Sequence, residues 1–348
     1  MTKRALIAMS GGVESSVAAQ LMLEQGFDCV GVTMKLLGDE PTNQGIEDAR
    51  QVAEKAGIPF QVADCSAAFE KEVICRFIKA YEKGCTPNPC IDCNKHLKFG
   101  QLFDVAHSLG CEYVATGHYA RIAHDEKTGR YLLRKAVDLA KDQSYMLYSL
   151  SQEQLAHAVF PLGNIDNKQQ VRDIAESQGF GNAQKHDSQD ICFIPDGDYA
   201  AYIEAHAGKS FKPGNFVDES GNVLGRHKGI IHYTVGQRKG LGLALPQPMY
   251  VKTIDPSTNN VVLTTNDGLF TTKVVAREIN LIDCDHIEGQ RRVKARIRYK
   301  QQEQWATVTQ PDDQTLELVF DEPQRAITKG QSLVMYDGDY VVGGGKIV

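Results

Sequence analysis

Two groups of residues have the types and spacing to do chemistry. The first is Ser10-Gly11-Gly12-Val13-Glu14-Ser15-Ser16. Glycine lets a backbone approach a phosphate closely, and a following helix aims its free amides at the anion. Ser10, Ser15 and Ser16 are expected to add hydroxyl donors. A lone Gly-Gly would read as a turn with a serine cap. The full string, directly after the apolar run Ala5 to Met9, favours a phosphate cradle. It is not a Walker loop, which ends Gly-Lys-Ser/Thr. The second group is Cys90-Ile91-Asp92-Cys93, with Cys192 far downstream. The prolines Pro87 and Pro89 stiffen the approach to it. Cys93 is expected just before a helix that Lys95 opens, where the helix end and the cation lower a thiol pKa from about 8.5. Half of a structural zinc site is the alternative, but no second C-x-x-C or His pair accompanies it. His118 is a candidate neighbour of the nucleotide, or an ordinary loop residue.

The elements that must position these groups alternate. Strands are predicted over Ala5 to Met9, Cys29 to Met34, Phe60 to Ala63 and Tyr113 to Thr116. Helices are predicted over Glu14 to Gln25, Ile46 to Ala56, Ala67 to Lys83, Lys95 to Leu109 and, in one region, Gln152 to Gln178. Such alternation implies a doubly wound parallel sheet that binds ligands beyond the carboxyl ends of its strands. After about Ala205 the texture changes to short apolar runs between Gly, Asn, Asp and Pro turns, which implies β structure. The expected fold class is α/β plus β: a catalytic domain over 1–204, a small central β-rich domain over 205–271 and a C-terminal β-barrel over 272–348.

Bulk properties narrow the function. At 348 residues the chain is long enough for two or three domains. A net charge of −6 means that a nucleic-acid partner must meet a local basic patch. Nine cysteines, an odd number spread along a long chain, make a poor disulfide framework. No apolar run is long enough for a bilayer, so a cytoplasmic enzyme without membrane contact is expected. Arg292, Lys294, Arg296, Arg298 and Lys300 alternate with Val293, Ala295, Ile297 and Tyr299. In a strand they would form one basic face suited to phosphate, or simply a solvated barrel face.

The loop resembles that of the ATP pyrophosphatases, Ser-Gly-Gly-x-Asp-Ser, with Glu14 in place of the usual Asp. Further segments make the resemblance closer. They are Thr86-Pro87-Asn88-Pro89, Cys93-Asn94-Lys95, Ala115-Thr116-Gly117-His118-Tyr119, Lys141-Asp142-Gln143-Ser144-Tyr145, Asp187-Ser188, Ile191-Cys192-Phe193, Gly236-Gln237-Arg238-Lys239-Gly240-Leu241-Gly242 and Gly343-Gly344-Gly345. In this order they are similar to the tRNA-specific 2-thiouridylases, which put sulfur on C2 of the wobble uridine (U34).

That resemblance implies roles. Ala8, Met9, Ser10, Gly11, Gly12, Val13, Glu14, Ser15, Met34 and Gly117 would hold ATP, with Glu14 near Mg2+. Asn88, Pro89 and Cys90 would face the target base. Lys141, Asp142, Gln143, Arg298 and Tyr299 would touch tRNA of the Lys, Glu and Gln anticodon types. Cys93 would be the nucleophile, and Cys192 would carry sulfur as a persulfide. A transient Cys93–Cys192 disulfide would follow, with a mobile loop expected over Lys185 to Asp190. The sulfur would come from a donor such as a cysteine desulfurase or a sulfur-relay protein. Many family members have Asp where this chain has Cys90. Cys90, Cys93 and Cys192 together could instead hold a 4Fe–4S cluster with an open iron. Rival readings are another ATP pyrophosphatase, which needs neither Cys93 nor Cys192, and a non-catalytic tRNA-binding iron–sulfur protein.

Overall fold

The structure, a computed structural model, describes residues 2–38, 42–184 and 191–348. By its contacts the chain divides into two compact units. The first holds Met1–Val73, Cys90–Gln189 and Gly338–Gly343; the second holds Ile74–Pro89, Asp190–Asp337 and Gly344–Val348.

The first unit is built on a five-stranded sheet. Arg4–Ala8 lies between Asp28–Lys35 and Tyr113–Ala115; Phe60–Asp64 extends one side and Ala158–Val159 the other, all parallel. The chain fills one side of Arg4–Ala8 first and then crosses to the other. The switch point therefore lies between the first strand and Tyr113–Ala115, where ligands of such sheets bind. Ala5, Leu6 and Ile7 are fully buried, as a central strand covered on both faces requires. Helix Val13–Glu24 covers this centre, with Val13, Val17, Ala18, Ala19 and Met22 buried. A hairpin, Ala120–Asp125 with Arg130–Lys135, had no counterpart in the predicted elements.

Three expectations need correction. The region Gln152 to Gln178 is not one helical stretch: Gln152–His157 and Lys168–Ser177 are helices, and the edge strand Ala158–Val159 runs between them. The helix predicted from Lys95 already starts at Pro89 and runs on through Asn94–Gln101, with a kink at Phe99. Pro89 starts it because a first-turn residue needs no amide proton and proline's φ is already helical. The predicted strand 292–300 ends at Arg296.

The second unit holds two β assemblies. Gly214–Val217, Val223–His227, Tyr250–Asp255 and Asn260–Thr264 form a four-stranded sheet. Phe270–Leu281, Thr315–Arg325, Gln304–Asp312, Gln290–Arg296, Ser332–Asp337 and the end of Tyr340–Ile347 follow one another, and the last pairs with the first to close a barrel. Its interior takes Val274, Ala276, Val293, Ala295, Ala306, Val308, Leu316, Leu318 and Phe320, alternate residues of their strands. Among the described residues no helix is long and apolar enough to cross a membrane.

Candidate active site

The phosphate loop sits at the switch point of the first unit. Gly12 caps helix Val13–Glu24 with extended backbone, φ −92° and ψ 157°, and, having no side chain, makes no cap hydrogen bond to the first-turn amides. Those amides are the orphan donors of a helix start, and the helix dipole favours an anion there. Gly11 has φ +72°, and a Cβ on it would stand 2.4 Å from the Gly45 carbonyl oxygen. On Gly117 a Cβ would come within 2.8 Å of the Glu14 backbone. Both positions are therefore restricted to glycine by close backbone approach. Asn182 braces the loop from behind, donating through Nδ2 to the Gly11 carbonyl at 3.2 Å and to Ser16 Oγ at 2.9 Å.

The serines divide their roles in a way the sequence did not reveal. Ser15 Oγ donates to the Gly12 carbonyl at 2.9 Å and accepts from Ser10 N at 3.2 Å. Ser16 Oγ donates to the same carbonyl at 3.1 Å. Both are buried and hold the loop's shape, whereas Ser10 is exposed. Of the three expected hydroxyl donors, Ser10 is the one turned to solvent.

Ala8 and Met34 lie at the carboxyl ends of neighbouring strands, with Ala8 opposite Val32 in register. Thr33 Oγ1 donates to the Met9 carbonyl at 2.7 Å and ties the two strand ends together. The expected nucleotide residues 8 to 15, Met34 and Gly117 thus share one edge of one sheet. Lys168 joins them unannounced: its ammonium pairs with the Glu14 carboxylate. It opens helix Lys168–Ser177, whose cap is Asn167, accepting from Gln170 N. Asn167 followed by Lys168 is a readable helix start, but nothing in the sequence ties that start to Glu14.

Cys90 and Cys93 both lie within helix Pro89–Cys93. Cys93 is the last residue of that segment and has helical φ and ψ, so it does not precede the helix as expected. Cys90 reaches solvent, yet its dense surroundings push its pKa up, opposed by the positive charge of Lys98. Lys95 is exposed.

Lys98 is held by a histidine. Its Nζ lies 3.4 Å from His118 Nε2, and His118 Nδ1 lies 2.7 Å from Thr116 Oγ1. An ammonium has only donors, so Nε2 accepts and the ring's single proton sits on Nδ1, facing Thr116. Burial first, and then Lys98, keep the His118 pKa well below 6.5, which fixes the ring as neutral.

The remaining candidates are placed as follows. Asp142 is buried, and its carboxylate accepts from Ala136 N, Ser144 N and Ser144 Oγ at 3.1, 3.2 and 2.8 Å. Gln143 Oε1 accepts from Tyr119 N at 3.0 Å. These two side chains shape their loop, and Lys141 is the half-buried cation beside them. In the second unit, Asn88 is half-buried and Pro89 buried. Cys192 is exposed there, while its neighbour Phe193 packs edge-on against Phe77 at 5.4 Å. Arg298 donates to the Ala326 carbonyl and to Thr328 Oγ1 at 3.0 Å. Tyr299 follows it, half-buried. The loop expected over Lys185 to Asp190, with Asp187 and Ser188, lies outside the described residues.

The face expected to be purely basic is mixed. Arg292 makes a bidentate pair with Asp321 at 2.8 Å, and Arg296 meets Glu303 at 3.5 Å. Both acids come from other stretches of the barrel chain. Among the described residues no three His, Cys, Asp or Glu side chains are gathered to hold a metal ion.

A parallel sheet with an uncapped Gly-Gly loop at its switch point defines a nucleotide-binding α/β domain. Domain models agree: one described as a tRNA methyl transferase HUP domain matches residues 3–196. A PRC-barrel model of the same name matches 200–265, and an aminomethyltransferase β-barrel model matches 271–347. The tRNA-specific 2-thiouridylase MnmA of Clostridioides difficile is 51% identical over 100% of this chain and 98% of its own. That of Acetivibrio thermocellus is 49% identical over 99% of both. The chain belongs to the tRNA-specific 2-thiouridylase family. The domain descriptions speak of methyl transfer, but relatives matched end to end decide the family. Among solved structures, a U34-tRNA thiolase from Methanococcus maripaludis shows a weak likeness. Its TM-score is 0.37 at 17% identity, over 59% of this chain and 66% of that one.

Proposed function

We propose that this protein is a cytoplasmic tRNA-uridine 2-sulfurtransferase that consumes ATP to replace O2 of the wobble uridine (U34) by sulfur. The observation that carries the reading is one unit holding both an uncapped anion loop, Ser10 to Ser15, and a helix bearing two thiols, Cys90 and Cys93, in a chain matched end to end by thiouridylases. The uridine C2 oxygen is a poor leaving group. Attack on the α-phosphorus of ATP makes it an adenylate and releases pyrophosphate, whose charge the amides of Val13 and Glu14 would stabilise. The glycine-only approaches at Gly11 and Gly117 fit a nucleotide lying against the strand ends. Mg2+ arriving with ATP would be carried mainly by phosphate oxygens, with Glu14 as the loop's carboxylate.

In this reading Cys192 receives sulfur from a donor protein as a persulfide. The terminal sulfur attacks C2, and AMP leaves with the former uridine oxygen. Cys93 then attacks Cys192 Sγ and frees the transferred sulfur, which stays on the base; a Cys93–Cys192 disulfide remains. External thiol reduces it and restores both cysteines. Asn88, Pro89 and Cys90 would face the base, and tRNAs of the Lys, Glu and Gln type would be the substrates. Extruding an unpaired anticodon base costs only a few kcal/mol.

Cys93→Ser and Cys192→Ser, assayed for 2-thiouridine with tRNA, ATP and a persulfide donor, should each lose activity. Full activity in both variants would end this mechanism. Anaerobic purification with iron and sulfide analysis separates the cluster alternative: thiolation by iron-free protein excludes an obligatory cluster.

A further inference from the structure

Trp305 is the chain's single tryptophan, and 52% of its surface is exposed. It lies in barrel strand Gln304–Asp312, where Ala306 and Val308 face inward and are fully buried. The indole therefore points away from the barrel. Two cations border it. Lys294 stands directly opposite in register, with Nζ 5.2 Å from the ring centroid. Arg292 places its guanidinium carbon 5.4 Å from the same centroid. That guanidinium is pinned by Asp321 and by Thr307 Oγ1 at 3.1 Å, so it is set in place before any partner arrives.

Leaving an indole in water forfeits a large burial gain. A patch for a protein partner would surround it with apolar neighbours. Here Lys294, Arg292, Thr307 and Asp321 surround it, with exposed Val319 beyond Thr307. An open aromatic face beside cations matches an unpaired nucleotide, whose base stacks on the ring while its phosphate meets the charge. We infer that Trp305, with Lys294 and Arg292, is a stacking platform for an unpaired nucleotide of the RNA substrate. The inference rests on the RNA reading proposed above.

Being the sole tryptophan, Trp305 reports on itself. The full-length protein is titrated with a transcript of a substrate tRNA, and intrinsic fluorescence is followed beside filter binding. Stacking should quench the emission in step with filter binding. Trp305→Ala should weaken tRNA binding about tenfold, as loss of one base stack does, while Trp305→Phe keeps most of it. Lys294→Ala should lower the salt dependence of binding by about one phosphate contact. Filter binding with unchanged emission, or wild-type affinity in Trp305→Ala, overturns the platform and leaves the RNA reading standing. Failure of the wild-type protein to bind tRNA in the filter assay overturns both.

Discussion

The Lys168 ammonium pairs with the Glu14 carboxylate, joining the first turns of two helices that are 154 residues apart. Glu14 places a negative charge where a helix start invites phosphate, and Lys168 offsets it. Lys168→Met should leave that carboxylate uncompensated beside an incoming triphosphate and weaken ATP binding by about tenfold or more. Adding Glu14→Gln in the same chain should recover most of the loss, because the orphan charge goes too. Calorimetric titration with ATP in the single and double variants decides. Equal losses in both would mean that charge compensation is not what Lys168 supplies.

Gly11 combines φ +72° with a Cβ position 2.4 Å from the Gly45 carbonyl oxygen. Gly11→Ala should therefore cost about 1–3 kcal/mol in stability, seen as a lower urea midpoint. ATP-dependent pyrophosphate release should fall at the same time. Gly26→Ala, where φ is +81° but no atom lies within 4 Å, carries the φ cost alone. Its effect on release should be negligible.

Thiol reactivity should separate the cysteines. Burial, the Asp28 charge and Cys111 push Cys29 up to about 11, and burial also raises Cys65 and Cys111. These three should resist iodoacetamide near pH 7.5, while exposed Cys192 is alkylated first. The Cys90 rate should rise only at pH values above the ordinary thiol range. Lys98→Met should push that rise higher still, since Lys98 is the charge that favours the thiolate. Peptide mass spectrometry across a pH series measures all of this.

His118 sets part of the acid sensitivity. Folded, it stays neutral because its pKa is held well below 6.5; unfolded, it titrates near 6.5. Below pH 6.5 the unfolded chain takes up a proton that the folded chain refuses, so stability is lost as pH falls from 6.5 towards the folded pKa. The limit is about 1.4 kcal/mol per pH unit for one proton. His227 and His232 are shifted the same way by burial. His118→Gln should therefore flatten the acid slope of the urea midpoint by about one proton without abolishing it. An unchanged slope would show that His118 accepts a proton in the folded chain.

Much of the site was legible because it is local. The glycines, the strand before them and the helix after them are one stretch of sequence. The Pro89 start of the thiol helix could also have been read, since proline favours a first helical turn. The edge strand Ala158–Val159 spans two residues, too few to show any period. The basic strand misled for a different reason. As far as Arg296, where the strand ends, alternation separated buried Val293 and Ala295 from Arg292, Lys294 and Arg296, but it could not show which acids meet those cations.

By itself the sequence determined what short-range physics can decide: the alternating strands and helices, the β texture beyond Ala205, the anion loop and the thiols at Cys90, Cys93 and Cys192. Turn chemistry and hydrophobic period act within a few residues and leave their mark there. Tertiary structure alone decided the partners. It set Lys168 on Glu14, Asn182 behind Gly11, neutral His118 on Lys98, and Asp321 and Glu303 among the arginines. Charge and hydrogen-bond satisfaction depend on distance in space, and that distance exists only once the chain has closed on itself.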